Sequence, residues 1–408
     1  MPAQSTARQK PKRSTGSAPF SVDGDFYKVG HLVDTEDQAL LRKVRAFTEE
    51  KVAPIINQYW GRAEFPLELI ADYGALGIAG LPYRDHGRPG RSALLDGLVM
   101  KELARIDCSM ATFHGVHSGL AMGSIDLCGS EEQKQRWLPA MRRAEAIGAF
   151  GLTEPEVGSG AARGLTTTAR RRGNEWILNG RKRWIGNATF ADLIVIWARD
   201  VDDGQVKGFV VEKGTPGFAA EKMQHKMALR VVQNADITLE DCRVADDNRL
   251  AHARSFKDTA AVLRMTRAGV AWQAVGCAQG AYEHALRYAC QRQQFDRPIA
   301  GFQLVQDLLV RMLANVTASQ CMVLRLAQLQ DAGEMDEEHA SLAKAFCTVR
   351  ARETVGWARE LLGGNGILLD HHVARFVADA EAIYSYEGTR EINTLVVGRA
   401  ITGLGAFV

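Results

Sequence analysis

Between residues 34 and 149 apolar side chains recur at i, i+3, i+4 and i+7, as in TEDQALLRKVRAFTEEKVAPIINQYW. That spacing predicts helices with one apolar face. Thr35 stands where an N-cap belongs, with Glu36 and Asp37 in the first turn. Ser130 with Gln133 three residues on, in SEEQKQRWLPAM, has the form of a second helix start. From Gly151 to about Asp247 the period shortens toward two. GNEWILNGRKRWIGNA, DLIVIWARD, KGFVVEKG and NADITLEDCRV are β-rich runs bounded by Gly, Asn and Asp, predicting a small antiparallel β unit. From about Ser255 the helical period returns in three long stretches with short joints, the pattern of a bundle. The expected organisation is α+β and mostly helical: a tail over 1–30, a helical domain over 31–149, a β domain over 150–250 and a helical bundle over 251–408.

Composition narrows the function classes. With 46% apolar and 24% charged residues the 408-residue chain is of ordinary globular make-up. A net charge of +2 gives no case for nucleic acid or an anionic membrane. No run approaches the ~18 apolar residues of a membrane span. Seven cysteines without a C-x-x-C argue for buried thiols in a reducing compartment, so the protein is expected to be cytoplasmic. MPAQSTARQKPKRSTGSAPF is basic, Ser- and Pro-rich and without acids. It reads as a disordered tail, with a transit peptide as the alternative. GLGAFV at the other end carries no peroxisomal address.

Several stretches carry candidate chemistry. FGLTEPEVGSG, from Phe150 to Gly160, lies where helix gives way to strand and offers backbone amides and hydroxyls along a loop. Trp184 in KRWIGNA suits either stacking on a planar group or a core. ELLGGNG, from Glu360, reads as a glycine C-cap or as a backbone that a ligand approaches closely. Arg292 in RQQFDRPIAGFQ is placed to pair with a phosphate or to stay solvated. His114 and His117 share a helix face but lack an obvious third metal ligand, so no metal is expected. Glu387, in YSYEGTREINTLVVGRAITG, precedes a glycine just ahead of an apolar-periodic run.

Taken in order, FGLTEPEVGSG, RWIGNA, RQQF…FQ, ELLGGNG and YEGT resemble the acyl-CoA dehydrogenase family over nearly the whole chain from about residue 30. ELLGGNGIL and YEGTREINTLVVGRAITG are most similar to glutaryl-CoA dehydrogenases and plant short-chain acyl-CoA oxidases. ARIDCSMATFHGVHSGL is particularly similar to the plant oxidases. The resemblance implies N-terminal helices, a central antiparallel β-barrel-like domain and a C-terminal four-helix bundle. It also implies FAD held between domains and subunits of a homotetramer, a dimer of dimers. Phe150, Leu152, Thr153, Gly158 and Ser159 would line the flavin, with Ser159 also near the CoA, and Trp184, Ile185 and Gly186 would pack beside the ring. Arg292, Phe295 and Gln303, with Leu361, Leu362, Gly363, Gly364 and Asn365, would hold the FAD of a neighbouring subunit. Arg267 and Phe407 would contact CoA, Gly388 would let the substrate pass, and Thr389 would touch FAD and cap the last helix.

In that family the position of Glu387 is the catalytic base, which removes the α-proton of an acyl thioester. The backbone N–H of the base and a flavin hydroxyl polarise the thioester carbonyl. Branches that take the base from the position before the CoA-contacting arginine have it where this chain has Thr266. Two departures sharpen the expectation. Ala111, beside Thr112, stands where glutaryl-CoA dehydrogenases carry an arginine for the distal carboxylate, and an unpaired buried carboxylate costs several kcal/mol. A monocarboxylic short- or medium-chain acyl-CoA is therefore expected, with electrons passing to an electron-transfer flavoprotein. Gly186 replaces the threonine that dehydrogenases place beside flavin N5, as in the plant oxidases, which keeps re-oxidation by O2 open as the alternative.

Overall fold

Asp34 opens the first helix: its carboxylate accepts from the Asp37 N–H at 2.8 Å. The N-cap is thus one residue earlier than expected, and Thr35 becomes the first helical residue. A carboxylate there caps the end and also meets the positive end of the helix dipole. The structure, a computed structural model, describes residues 23–84 and 90–406. Helices α1 (Thr35–Phe47), α2 (Ala53–Arg62), α3 (Leu69–Leu76), α4 (Ala93–Ile106), α5 (Cys108–His114), α6 (Gly123–Cys128) and α7 (Glu131–Arg142) form the first layer. π-helical turns at Thr48–Val52 and Gly115–Met122 interrupt it. Ser130 and Gln133 make the predicted capping box on α7.

The middle layer holds strands β1 (Gly148–Gly151), β2 (Thr168–Arg172), β3 (Glu175–Ile185), β4 (Leu193–Asp200), β5 (Val206–Glu212), β6 (Phe218–Lys222) and β7 (Ala235–Ala245), with one helical turn, α8 (Ala161–Gly164), before β2. The sheet runs β1-β4-β2-β3-β7-β6, with β5 also on β4. It is mixed rather than purely antiparallel. β1 and β2 both pair parallel to β4, at its start and at its end. Strand direction across such long connections leaves no mark on the alternation of side chains, so the period could not report it. Arg170, Arg171 and Arg172 sit, exposed, at the β2–β3 hairpin end.

The last layer is α9 (Phe256–Gln291), α10 (Gln303–Asp331), α11 (Glu337–Leu361), α12 (Val373–Ser385) and α13 (Arg390–Thr402), with a two-strand clip, β8 (Gln293–Gln294) and β9 (Arg297–Pro298), after α9. α9 is about 54 Å long and packs on both α4 and α11. A Cβ on Gly280 would lie 2.1 Å from the Arg105 carbonyl oxygen of α4, so only glycine allows that approach. Buried polar bonds lock the layers together. Arg375 of α12 reaches Asp107 at 2.5 Å and Asn57 at 2.7 Å, and Asp379 accepts from the Leu229 N–H at 2.6 Å. Residues 24–30, assigned by sequence to the tail, are held instead: the Gly24 N–H donates to Glu283 and Gln320 to Asp25. The rest of the expected tail, like Phe407, lies outside the described residues. No helix among the described residues is long and apolar enough to cross a membrane.

Candidate active site

Glu387 occupies the sharp turn between α12 and α13. It takes a left-handed conformation, φ 55°, and Gly388 follows at φ 83°. For glutamate that region is uncommon and costs free energy, so the turn must be held by its surroundings. Thr389 then caps α13, its hydroxyl accepting from the Ile392 N–H at 3.3 Å. No group among the described residues accepts from the Glu387 N–H, which leaves that donor for a ligand.

The carboxylate is half-buried and meets α9. Thr266 Oγ1 lies 3.0 Å from Glu387 Oε2, so both positions from which the family draws its base converge on one point, and only Glu387 carries an acid there. Burial raises the Glu387 pKa above the ordinary carboxylate range, against the opposing pull of the Thr266 hydroxyl and the Arg267 and Lys344 charges. The neighbouring Tyr386 hydroxyl donates to Gln273 at 2.5 Å, and Gln273 donates to Thr112 Oγ1 at 2.8 Å. That relay ties the turn to α9 and α5, with Thr112 on the site side. Ala111 is fully buried in the apolar core. Arg267, expected at the CoA, pairs with Glu337 at 2.6 Å, while its buried Nε lacks a partner.

The β unit supplies a second wall. The Arg183 N–H donates to the Thr153 carbonyl at 2.8 Å, so the segment after β1 runs beside residues 183–186. Phe150, Leu152 and Ile185 turn into the core, whereas the Trp184 indole stands 54% exposed. Ile185 therefore offers only backbone to a ligand. Gly158 and Ser159 lie on the exposed loop that follows. The hydroxyls of Thr153 and Ser159 have no hydrogen-bond partner among the described residues, and open space lies beside Gly158 and Gly160. An exposed indole, free hydroxyls and side-chain-free backbone on one wall fit a planar polar cofactor such as FAD. The room beside Gly186 is narrow, since a Cβ there would lie 3.2 Å from Val116 Cγ2.

The other predicted cofactor residues lie elsewhere. Arg292, Gln303, Gly363 and Gly364 are exposed, Phe295 is 84% exposed, and Leu361 and Asn365 are half-buried, while Leu362 turns inward. Asn365 donates to the Tyr288 hydroxyl at 2.9 Å, which brings this group together at the far end of α9. Thr266 and Arg292 are about 39 Å apart along that helix. His114 and His117 are packing groups: His114 meets the Tyr73 hydroxyl at 2.7 Å, and His117 joins the Gly148 N–H to the Met141 carbonyl.

Sequence reasoning missed four residues that hold the site, Gln273 of the Tyr386–Thr112 relay among them. Lys182 and Glu154 form a buried ion pair at 2.9 Å under the flavin-side loop. Burial acts to raise the Glu154 pKa, but the Lys182 charge and the Thr166 and Thr167 bonds outweigh it, to about 2. Lys344, inside α11, reaches the carbonyls of the Glu387 turn. The one available signal was a lysine within the apolar stripe of SLAKAFC.

By sequence, the chain matches the acyl-CoA dehydrogenase N-terminal domain over residues 34–167, the middle domain over 149–242 and the C-terminal domain over 256–402. Glutaryl-CoA dehydrogenase from Mycobacterium smegmatis is 38% identical with a TM-score of 0.90, covering 95% of this chain and 100% of that one. A glutaryl-CoA dehydrogenase structure from the same organism in complex with FADH2 is 34% identical, TM-score 0.90, over 94% and 98%. The mitochondrial short-chain specific acyl-CoA dehydrogenase of Homo sapiens is 33% identical over 377 residues, 91% of each chain. The agreement along all three layers leads to one conclusion: the chain belongs to the acyl-CoA dehydrogenase family, FAD-dependent oxidoreductases acting on acyl-CoA.

Proposed function

We propose that this protein converts a short- or medium-chain monocarboxylic acyl-CoA to the trans-2-enoyl-CoA, with Glu387 as the base and an electron-transfer flavoprotein as the acceptor. The observation that carries the reading is the Glu387 carboxylate, half-buried, raised in pKa and bonded to Thr266 at 3.0 Å. Burial makes this carboxylate a stronger base than a solvated one. It takes the α-proton, and the electron pair released from the α-carbon forms the new double bond as the β-hydrogen departs with its own pair. The Glu387 N–H, which has no acceptor among the described residues, would donate to the thioester oxygen as negative charge develops there. Bound FAD supplies the two-electron acceptor for the departing hydride. Phe150 to Thr153, Ser159, Trp184 and Gly186 would hold its flavin half.

Ala111 in the apolar core and Thr112 in the Gln273 relay leave no cation on that helix for a second carboxylate, which supports a monocarboxylic chain. Arg292, Phe295 and Gln303 lie at or beyond the end of α9 remote from Thr266, and Asn365 joins Tyr288 near that end. We assign Arg292, Phe295, Gln303 and residues 361–365 to a neighbouring subunit's FAD, hence a homotetramer, with the protein in the cytoplasm. Re-oxidation by O2, which would be reduced to hydrogen peroxide, is not favoured, because Val116 crowds the place that Gly186 leaves.

Mixing the purified holoprotein with butyryl-CoA without oxygen should bleach the flavin band, and the band should stay bleached in air until an electron-transfer flavoprotein is added. Rapid recovery of colour with peroxide would make the protein an oxidase instead. Glu387→Gln should keep FAD and ligand binding and lose flavin reduction by several orders of magnitude. Near-normal reduction in that variant would refute the base.

A further inference from the structure

The turn that carries Glu387 poses a problem of its own. α12 ends at Ser385; the Tyr386 N–H still closes on the Ala382 carbonyl at 3.1 Å, but the carbonyls beyond it have no helical partner. Two successive left-handed residues, Glu387 and Gly388, then turn further carbonyls inward. Water answers such groups at many helix ends. Here the carbonyls beyond the cap bond are met from another helix. Lys344, fully buried in the middle of α11, donates to the Tyr384 carbonyl at 3.2 Å, to the Tyr386 carbonyl at 2.5 Å and to the Gly388 carbonyl. Those are three acceptors for the three hydrogens of one ammonium. Asn393 of α13 adds a bond to the Gly388 carbonyl at 2.8 Å.

We propose that Lys344 is the positioning residue of this active site: its ammonium gathers the three carbonyls around Glu387, holds the glutamate in its left-handed conformation, and sets a positive charge beside the carboxylate that must ionise. The proposal rests on the reading of Glu387 as base. A purely structural lysine at the end of a helix would share the hydrogen bonds but not the charge relation. The charged groups facing Lys344 are Glu387 in the turn, Arg267 on α9 and Glu391 on α13. Burial lowers its pKa, Glu387 and Glu391 act upward and Arg267 downward, and the result is about 8, so it is mainly cationic at neutral pH. The Lys344 charge is in turn among the groups that pull the Glu387 pKa down.

Three variants separate the two parts of the role. Lys344→Met removes donors and charge, Lys344→Gln keeps two donors and removes the charge, and Lys344→Arg keeps the charge. The first readout needs no turnover: hydrogen–deuterium exchange of the segment 384–389 in the holoprotein should rise about tenfold in Lys344→Met, and less in Lys344→Gln. The second is the pH dependence of flavin reduction by butyryl-CoA. Its acidic limb, which reports the base, should move up by on the order of one pH unit in both neutral variants and stay in place in Lys344→Arg. If Lys344→Met does not fold, Lys344→Gln decides. An unchanged acidic limb in Lys344→Gln, or unchanged exchange of the turn in a folded Lys344→Met, overturns the proposal. Failure of the base assignment reads differently, as turnover in Glu387→Gln.

Discussion

Thr266→Val isolates the one hydrogen bond that the described residues make to the proposed base. Thr266 Oγ1 lies 3.0 Å from Glu387 Oε2, but also 3.2 Å from the Leu263 carbonyl and 3.3 Å from the Val262 carbonyl. A hydroxyl has one hydrogen, so it serves one of the three at a time. A full bond to a charged group contributes about 1.5–3 kcal/mol, and the shared one is worth less, about 1.4 kcal/mol, or one pKa unit. Donation favours the ionised carboxylate, so valine, of nearly the same shape, raises the Glu387 pKa further. In the proposed reaction the ionised carboxylate is the catalyst, hence the acidic limb of the rate of flavin reduction should move up by about one pH unit. One unit below the native midpoint the rate should fall nearly tenfold, while on the plateau it should change by less than about twofold. Anaerobic stopped-flow reduction by butyryl-CoA across the pH range measures this directly. A limb that stays in place or moves down would refute the reasoning.

Glu387 also carries a stability cost whose sign follows from its raised pKa. The folded protein keeps the proton in a window where the unfolded chain has already released it, so stability falls as pH rises from the unfolded carboxylate range through the folded pKa. Glutamine cannot ionise, and Glu387→Gln should melt about 1 °C higher at neutral pH in calorimetry, with the gain absent in acid; a lower melting temperature would count against a destabilised base. Lys182→Met leaves Glu154 buried opposite an apolar chain and should cost about 2–4 kcal/mol, together with lost FAD content by absorbance; full flavin occupancy would mean that the loop holds without the pair.

The division into helix, strand and helix was legible because burial imposes its period on the chain, 3.6 in the outer layers and two in the middle one. What the period cannot carry was missed. The parallel pairings of β4 depend on long connections, and the first N-cap was placed one residue late because Asp34 and Thr35 are both good caps. The choice of Glu387 as candidate base came from the resemblance, while its contact with Thr266 was not foreseen: the sequence showed only that the alternative position carries no acid. Gln273 and Lys344 were not legible, since each acts on residues forty or more positions away, and a lone polar residue in a helical stripe does not name its partner. Ile185 was expected beside the flavin by resemblance; its side chain turns into the core because the strand breaks register between Lys182 and Ile185, where Trp184 takes φ 67° and swings outward.

Helix α9 has a consequence for mixtures of subunits. It holds Thr266 against its own chain's base and ends, about 39 Å on, at Arg292, which we assign to the neighbour's cofactor. A site built that way draws its two halves from two chains, so defects at the two ends of the helix are inherited separately. Glu387→Gln and Arg292→Ala should each be inactive alone. Refolded together, they should form hybrids in which one site receives both faulty halves and the other receives both intact ones. Two dead proteins would then yield activity on mixing, and the rigid rod between the ends would be acting as a genetic divider within a single chain.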